Sequence, residues 1–412
     1  MQVKDVTGRM IIDSRGNPTV ECTVYAENVI GRAAAPSGAS TGKFEAVELR
    51  DGGNEFHGKG VSKALASIGR IRDAIRGMSV LDQNAIDLAI IHADGTPNKS
   101  NFGANATTAV SLAVARAGAK ASGKELFAYL NPSASRLPVP FMNIINGGKH
   151  AGSGLAVQEF MVAPVGARNF SEAVRMCCEV YGTLRALIEK KHGRKATGVG
   201  DEGGFAPPIR KTEDALALIQ SAIDAEGYAK EMRIALDCAA SSFYSRKKYA
   251  IDGRRVDAAR LAEIYLELAA KYNIFSIEDP FDEEDFESFA GLKKSATFRI
   301  IGDDLTVTNV ERIRKAIDMG CMDTLLLKVN QIGTLTEALD AAGLAKNNGC
   351  GVMVSHRSGE TCDPFIADLA VALDCGMIKS GAPCRGERLA KYNRLLEIEE
   401  MLGTQAVYGL PK

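Results

Sequence analysis

The second half of the chain repeats one pattern, in which a short apolar run ends in a charged or polar residue and a helical segment follows. The runs read MRIALD, NIFSIED, FRIIGDD, TLLLK, GVMVSH and MIKSG. Strands that alternate with helices predict parallel βα units. Six such units, preceded by further strand and helix segments between residues 140 and 207, predict a closed β/α barrel. An open doubly wound sheet is the alternative, but no strand leads into the G-x-G-x-x-G turn of a dinucleotide-binding fold.

The first part of the chain has a different order, with strands first and helices afterwards. Segments that favour β-structure lie at residues 6–13, 19–27 and 30–36. Helical patterns follow at residues 61–76, 82–94 and 104–121, and the Pro/Ser-rich segment at residues 131–140 is a candidate boundary. We therefore predict an α/β protein with an N-terminal α+β domain, residues 1–135, and a C-terminal β/α barrel, residues 136–412.

Composition and charge narrow the class of protein. The chain has 412 residues, 46% hydrophobic and 25% charged, which is typical of a globular protein. A formal net charge of -1 gives no global field that favours nucleic acid or an anionic membrane. Nine cysteines without a Cys-x-x-Cys pair argue against a disulfide framework and indicate a reducing cytoplasm. We expect neither a secretory signal nor a membrane span, because no apolar stretch approaches ~18 residues.

The residues that end the six apolar runs would share the C-terminal mouth of a barrel, where active sites form. They are Asp237, Glu278, Asp303, Lys328, His356 and Lys379. A single strand-end aspartate usually caps a helix, but three carboxylates on successive strands repel one another unless a positive charge lies between them. Oxygen ligands on a rigid frame favour a hard cation such as Mg²⁺. Zinc is disfavoured, because the five histidines form no His-x-x-x-His pair.

Lys328 follows three leucines, where an ammonium is costly to bury. Bound cations and exclusion of water both favour the neutral amine, so we expect the pKa of Lys328 to be lowered and its side chain to act as a general base. The alternative is a lysine that pairs with a neighbouring carboxylate or extends its charged end to water. Lys379 is the better candidate for neutralising an anionic substrate.

Two glycine-rich segments add candidates for proton transfer and binding. TGVGDEGGFAPP contains Glu202, which near metal-ligand carboxylates would keep a proton and act as a general acid. A flexible acidic turn is the alternative for this loop. INGGKHAGSGLAVQEF contributes His150, Gln158 and Glu159, of which the histidine alone is a weak signal.

Two further loops suit a phosphate. SHRSGET places His356, Arg357 and Ser358 together, and arginine with serine forms a phosphate fork. PSGASTGKFEA is a small-residue loop of the kind that cradles phosphate or closes as a lid, and its Ser40 offers oxygen atoms to a cation. A plain surface loop is the alternative.

A lysine base, a divalent cation and a phosphate fork together predict proton abstraction next to a carboxylate, which forms an enediolate. At an effective dielectric of ~20, two unit charges 4 Å apart interact by about 4 kcal/mol. A doubly charged cation therefore supplies stabilisation that a lysine alone does not.

Longer motifs are recognisable along the whole chain. They are DSRGNPTVE, PSGASTG, GANATTAVSLAVARA, INGGKHAG, VGDEGGFAP, LDCAAS, IEDPF, GDDL, LLLKVNQIGT, SHRSGET and CRGERLAKYNRLL. In sequence and in order, the chain resembles the enolase (phosphopyruvate hydratase) family. The resemblance implies a cytoplasmic lyase of glycolysis and gluconeogenesis that reversibly dehydrates 2-phosphoglycerate to phosphoenolpyruvate. It also implies an N-terminal α+β domain that caps a TIM-barrel variant with an antiparallel second strand.

The resemblance also implies catalytic and metal-binding roles. Lys328 takes the proton at C2, and Glu202 protonates the departing C3 hydroxyl with Glu159 and His150 beside it. The first Mg²⁺ is held by Asp237, Glu278 and Asp303. A second Mg²⁺ arrives with the substrate and is reached by Ser40 as its loop closes.

For the substrate, the resemblance implies that Arg357 and Ser358 contact the phosphate and that Lys379 contacts the carboxylate. Gln158 and His356 line the rest of the substrate site. The expected assembly is a homodimer or an octamer, with a small phosphorylated substrate and no nucleic-acid or membrane partner.

Two other functions compete with this interpretation. One is another enolase-superfamily enzyme, a sugar-acid dehydratase or racemase, against which the phosphate fork and the PSGASTG loop argue. The other is binding: the C-terminal Lys412 is the type of feature by which enolases displayed at a cell surface or secreted capture plasminogen.

Overall fold

The three predicted N-terminal strands form one antiparallel sheet in the computed structural model, which describes residues 1–38, 42–152 and 154–411. The strands are β1 (Asp5–Ile12), β2 (Pro18–Ala26) and β3 (Val29–Ala34). The register places Val6 opposite Val24 and Tyr25 opposite Ile30. Both valines are buried, whereas both residues of the second pair are exposed, so alternate positions face the core and water.

Four helices follow, and one of them lies unusually close to the sheet. They are α1 (Ser62–Ile75), α2 (Gln83–Asp94), α3 (Ala104–Ala121) and α4 (Leu126–Leu130). The small residues of α3 allow the backbone to approach β3. A Cβ atom on Gly31 would lie 2.0 Å from the carbonyl oxygen of Ala113. The predicted segments 61–76, 82–94 and 104–121 thus agree with α1 to α3 within one residue at each end.

Eight strands close into a barrel in chain order, which confirms the predicted β/α barrel and excludes the open sheet. The strands are β4 (Val139–Asn146), β5 (Glu159–Ala163), β6 (Arg233–Asp237), β7 (Ile274–Glu278), β8 (Arg299–Gly302), β9 (Thr324–Leu327), β10 (Gly351–Ser355) and β11 (Met377–Lys379). β5 pairs antiparallel with both β4 and β6, and the other pairs are parallel. The antiparallel second strand implied by the resemblance is therefore confirmed.

The barrel begins with two strands, β4 and β5, followed by two helices, and after them strands and helices alternate. The helices of the barrel are α5 (Phe170–His192), α6 (Thr212–Ala225), α7 (Ala258–Lys271), α8 (Phe286–Lys293), α9 (Val310–Asp318), α10 (Val329–Ile332), α11 (Leu335–Asn347), α12 (Phe365–Ala372) and α13 (Gly386–Leu402). No helix among the described residues is long and apolar enough to cross a membrane.

Short elements complete the fold outside these layers. Arg136–Leu137 pairs with Val407–Tyr408, and Tyr244–Ser245, Lys248–Ile251 and Arg254–Val256 form a small antiparallel sheet. Single turns of 3₁₀ helix lie at Glu55–Gly58, Gly148–His150, Arg194–Thr197, Ala240–Phe243 and Gly403–Gln405. The domain division after residue 135 stays a prediction.

The inside of the barrel is apolar at one end and polar at the other. A buried cluster separate from the main core fills the apolar end: Val139, Phe141, Met161, Ala163, Ala235, Ile301, Leu326, Met353 and Met377. Side chains two residues apart on a strand face the same side. The residues two positions after Ala235, Ile301, Leu326 and Met377 are therefore directed to the C-terminal mouth, above a rigid apolar floor.

Candidate active site at the C-terminal mouth of the barrel

Lys379 lies among three carboxylates at the mouth. In register, Asp237 lies opposite both Glu159 and Glu278, so the three acidic side chains lie side by side on adjacent strands at the mouth. The ammonium of Lys379 donates to Asp237 Oδ2 at 2.9 Å and to the two oxygens of Glu278 at 2.9 and 2.8 Å. Its nitrogen lies 3.3 Å from Glu159 Oε1. Burial lowers the pKa of Lys379, but these carboxylates raise it well above its ordinary value, so Lys379 is a cation.

Lys328 pairs with Asp303, one strand away. Its Nζ lies 2.5 Å from Asp303 Oδ2, and Gln331 donates to Oδ1 of the same carboxylate at 2.9 Å. Burial lowers the pKa of Lys328, whereas Asp303 raises it, and the net pKa lies above the ordinary value. The predicted lowering of the pKa of Lys328 applies when cations are bound beside the ammonium, and it stays a prediction.

Glu202, the predicted general acid, lies in residues 200–205 between α5 and α6, which are called the acid loop below. The loop runs beside the end of β4, where Phe205 exchanges backbone hydrogen bonds with Ile144 and Asn146. Gly203 has φ +86°, and a Cβ there would lie 3.0 Å from the carbonyl oxygen of Cys384, so only glycine fits without strain. Tight backbone contacts therefore fix the position of Glu202.

Glu202 and Glu159 form a buried carboxyl pair with His150. Nδ1 of His150 lies 3.6 Å from Oε1 of each glutamate. Burial and the charge of Glu202 raise the pKa of Glu159 well above its ordinary value. Burial also disfavours ionised Glu202, but His150, His356 and Arg388 hold its pKa well below the ordinary value. Both pKa shifts favour the proton of the pair on Glu159, whereas the sequence-based hypothesis places it on Glu202, and that role of Glu202 stays a prediction.

Residues 355–360, which contain the predicted phosphate contacts and are called the phosphate loop below, bring Arg357 to the mouth. Arg357 is buried, donates to Asn330 Oδ1 at 2.9 Å and forms an ion pair with Glu45 at 2.9 Å. The N-terminal part of the chain docks on this loop, since Ser37 and Gly359 exchange backbone hydrogen bonds of 2.7 and 2.9 Å. Arg357 is thus held in place by residues of the N-terminal part of the chain, such as Glu45, and of the C-terminal part, such as Asn330.

Gln158 also reaches the site. Its amide nitrogen lies 3.4 Å from Asp237 Oδ2, and no hydrogen-bond donor among the described residues faces its Oε1. That oxygen is buried, which suits a contact to a bound molecule.

The mouth gathers nearly all the predicted residues. The lining of the pocket at the mouth includes His150, Gln158, Glu159, Glu202, Asp237, Asp303, Lys328, His356, Arg357, Ser358 and Lys379. Glu278 is not part of this lining, but it accepts both hydrogen bonds from Lys379 that are given above. Ser40 and Lys412 lie outside the described residues.

The donor set of the mouth fits a divalent cation. Asp279, Asp303 and Asp304 bring carboxylate oxygens within 4.8 Å of one another, and a ring nitrogen of His150 lies equally close to carboxylate oxygens of Glu159 and Glu202. Burial and Asp237 raise the pKa of Glu278 well above its ordinary value, and burial and Asp303 raise that of Asp304 to about 8. Negative charge thus exceeds what the two lysines neutralise, and an added cation would relieve this repulsion.

Sequence reasoning missed several residues that support the site. Asp279 accepts from the backbone N–H groups of Asp303 and Asp304 at 3.0 and 2.7 Å, and Asn143 donates to Glu202 at 3.0 Å. Asp279 and Asp304 each follow a predicted ligand directly, so adjacency was an available signal. Asn143 lies within a buried strand and carries no such signal.

The comparisons with known proteins agree along the whole chain. The family model described as "Enolase, N-terminal domain" matches residues 3–130, and that described as "Enolase, C-terminal TIM barrel domain" matches residues 134–410. Among curated relatives, an enolase from Methanothrix thermoacetophila is 53% identical over 99% of this chain and 98% of its own length. An enolase from Thermococcus gammatolerans is 54% identical over 99% of this chain and 96% of its own length. An enolase from Solanum lycopersicum is 51% identical over 99% of this chain and 97% of its own length.

Proposed function

The chain belongs to the enolase family, and from this premise we propose that its barrel mouth reversibly dehydrates 2-phosphoglycerate to phosphoenolpyruvate. The protein is then a phosphopyruvate hydratase, a carbon–oxygen lyase of glycolysis and gluconeogenesis. The observation that carries the proposal is the placement of a partly buried lysine, Lys328, and a buried carboxyl pair, Glu159 and Glu202, at one mouth with Arg357. Lys328 follows β9 and Glu159 begins β5, four strands apart in a closed barrel of eight, so base and acid face the substrate from opposite sides.

Lys328 is the base that removes the proton from C2 of the substrate. To accept that proton it must be a neutral amine, and its ion pair with Asp303 opposes this state. Relief of that pairing is therefore a condition for catalysis.

The residues that would hold the first divalent cation, Mg²⁺, are Asp237, Glu278 and Asp303, with Ser40 assigned to a second Mg²⁺ that accompanies the substrate. When bound, such cations supply positive charge that stabilises the extra negative charge on the substrate carboxylate after proton removal. Asp279 keeps the backbone at Asp303 in place through its two accepted hydrogen bonds.

The Glu159–Glu202 pair supplies the proton that leaves with the C3 hydroxyl. The pair holds one proton, since burial and mutual repulsion disfavour two neighbouring carboxylates. This proton moves from Glu159 to Glu202 beside His150, and Glu202 then passes it to the hydroxyl. Because these groups are 5% exposed or less, bulk water does not compete for the proton.

The remaining residues orient the substrate. Arg357 and Ser358 bind the phosphate, since a planar guanidinium matches phosphate oxygens. Lys379 binds the substrate carboxylate, for which it already carries a positive charge, and Gln158 and His356 line the site. We also propose a cytoplasmic location and a homo-oligomer, a dimer or an octamer.

The test is the rise in ultraviolet absorbance of phosphoenolpyruvate when 2-phosphoglycerate is added with Mg²⁺ or with EDTA. The proposal predicts a rise that requires the cation. A panel of sugar acids serves as the comparison: turnover there, with none on 2-phosphoglycerate, would show that the chain is a different enolase-superfamily enzyme.

A further inference from the structure

Arg388, on α13, lies behind the mouth and is fully buried. Its Nη1 lies 2.6 Å from Nδ1 of His356 and donates to the backbone carbonyl of Arg357 at 2.6 Å. Its Nη2 donates to the carbonyl groups of Ser358 at 2.7 Å and Asp201 at 3.0 Å. One guanidinium therefore joins the phosphate loop to the acid loop and contacts a histidine between them.

The contact with Arg388 determines which nitrogen of His356 carries the proton. A guanidinium has only N–H donors, so Nδ1 of His356 must be the acceptor and the ring proton lies on Nε2. A doubly protonated ring would place N–H against N–H at 2.6 Å, so the contact also selects the neutral ring. In agreement, burial holds the pKa of His356 well below its ordinary value.

The Nε2–H of His356 faces one particular oxygen of the acid. Nε2 lies 3.5 Å from Oε2 of Glu202, and Nδ2 of Asn143 donates to the same oxygen at 3.0 Å. Oε2 of Glu202 therefore faces two N–H donors, those of Asn143 and His356, and a proton on Oε2 would be repelled by both. Oε1 instead faces Nδ1 of His150, at 3.6 Å, next to Glu159.

We propose that Arg388 is a positioning residue that fixes the Nε2–H tautomer of His356 and so confines the transferable proton of the acid to Oε1 of Glu202. The inference rests on the function proposed above for Glu202. Without the guanidinium, Nδ1 of His356 is free to carry the proton and Nε2 becomes an acceptor. Oε2 of Glu202 would then donate to Nε2, and the proton would be held away from the C3 hydroxyl.

The tautomer itself is tested in the unaltered protein, by nitrogen-15 NMR of chain labelled at histidine. The signal of His356 is assigned as the one that disappears in His356→Gln. We expect the shift pattern of a ring protonated at Nε2 only. A ring protonated at Nδ1, or at both nitrogens, near neutral pH overturns the proposal, and this measurement does not depend on whether any Arg388 variant folds.

The catalytic consequence is tested with Arg388→Met and a matched control, Arg385→Met. Arg385 likewise donates to backbone carbonyl groups of distant segments, those of Ser14 and Gly200, but it does not contact His356. For Arg388→Met we expect a new Nδ1–H signal and a dehydration rate lower by about 10- to 100-fold, by analogy with the loss of a group that orients a metal-binding histidine. Exchange of the C2 proton should be unchanged, because Lys328 performs it.

Arg385→Met should keep the Nε2–H tautomer and the wild-type ratio of exchange to dehydration. A folded Arg388→Met protein that keeps the tautomer, or that loses exchange and dehydration equally, contradicts the proposal. Absence of turnover in the unaltered protein, with the expected tautomer present, would instead contradict the proposed function.

Discussion

The Nζ of Lys328 lies 2.5 Å from Oδ2 of Asp303, which pairs the proposed base with a proposed cation ligand. While the carboxylate of Asp303 pairs with Lys328, it stabilises the charged ammonium form, and an ammonium cannot accept the proton from C2. Cation binding at Asp303 and deprotonation of Lys328 should therefore be linked, as metal binding generally is to proton release. This relationship gives a reason for a charged residue directly after the leucines of β9.

Replacing Lys328 by alanine should abolish exchange of the C2 proton of 2-phosphoglycerate with solvent. A positioned general base contributes about 10²- to 10⁴-fold, so the loss should be easily measured by proton NMR in heavy water. Lys294→Ala, at an exposed lysine, is the control and should exchange at the wild-type rate. Exchange by Lys328→Ala at that rate would mean that another group is the base.

Divalent cations should stabilise the fold as well as restore activity. A ligand at 100 times its Kd stabilises the folded state by about 2.7 kcal/mol, so Mg²⁺ should raise the melting temperature of EDTA-treated protein. Glu278→Gln should lose most of this rise, because a neutral amide is a weaker ligand than a carboxylate, whereas Glu400→Gln, at an exposed position, should keep it. Restoration of activity by zinc but not by Mg²⁺ would contradict the assignment of a hard cation.

Arg357→Lys should weaken substrate binding and turnover, although it keeps the charge. Lysine cannot reproduce the planar fork that already bonds Asn330 and Glu45. A charge-assisted hydrogen bond is worth about 1.5–3 kcal/mol, so kcat/KM for 2-phosphoglycerate should fall roughly 10- to 100-fold. Steady-state kinetics would test this against Arg314→Lys, an exposed arginine; equal values for the two variants would remove Arg357 from the phosphate site.

Asp363 should make a measurable contribution to stability. Both of its oxygens accept from Arg116, at 2.6 and 2.7 Å, and they also accept from the backbone of Ala34 and Phe365. Breaking a largely buried ion pair costs about 3 kcal/mol, so Asp363→Asn should lower the free energy of unfolding by that order in urea titrations. Glu267→Gln, at an exposed pair, is the control and should have no measurable effect.

The same pair predicts a direction for pH dependence. Burial raises the pKa of Asp363, but Arg116 and the backbone donors lower it further, and the net pKa lies below the ordinary value. The contribution is therefore complete above the unfolded carboxyl pKa of about 3.9 and is lost as the pH falls through the lower folded value. Wild type and Asp363→Asn should converge in stability at low pH, and a constant difference down to pH 2 would contradict this.

Much of the fold follows from local patterns. The runs that contain Asp237, Asp303, Lys328 and Lys379 are short and apolar, and each of these four residues lies two positions after an apolar residue inside the barrel. Strand direction does not follow from such patterns: the Glu159–Ala163 strand is buried throughout, and a buried run reads the same whether it is parallel or antiparallel. Only the family resemblance indicated its reversal.

Those parts of the site in which one residue type determines the chemistry could be predicted from the sequence. The parts that depend on contacts between residues distant in the sequence could not. Lys328 and Glu202 could be named from the sequence, but the side of the carboxyl pair that holds the proton depends on three cationic or imidazole groups from distant segments. Arg388 reaches His356 across 32 residues from the inner face of a helix, and no local spacing marks that contact. Partners of this kind depend on the tertiary packing.

The measurement that tests the proposed mechanism most directly is a comparison of C2 proton exchange and dehydration in Glu202→Gln. If Lys328 is the base and Glu202 the acid, the variant should exchange the C2 proton at close to the wild-type rate. It should form phosphoenolpyruvate about 10²- to 10⁴-fold more slowly, the usual contribution of a general acid. Loss of exchange together with dehydration, or normal dehydration, would contradict this division of roles between the two sides of the barrel mouth.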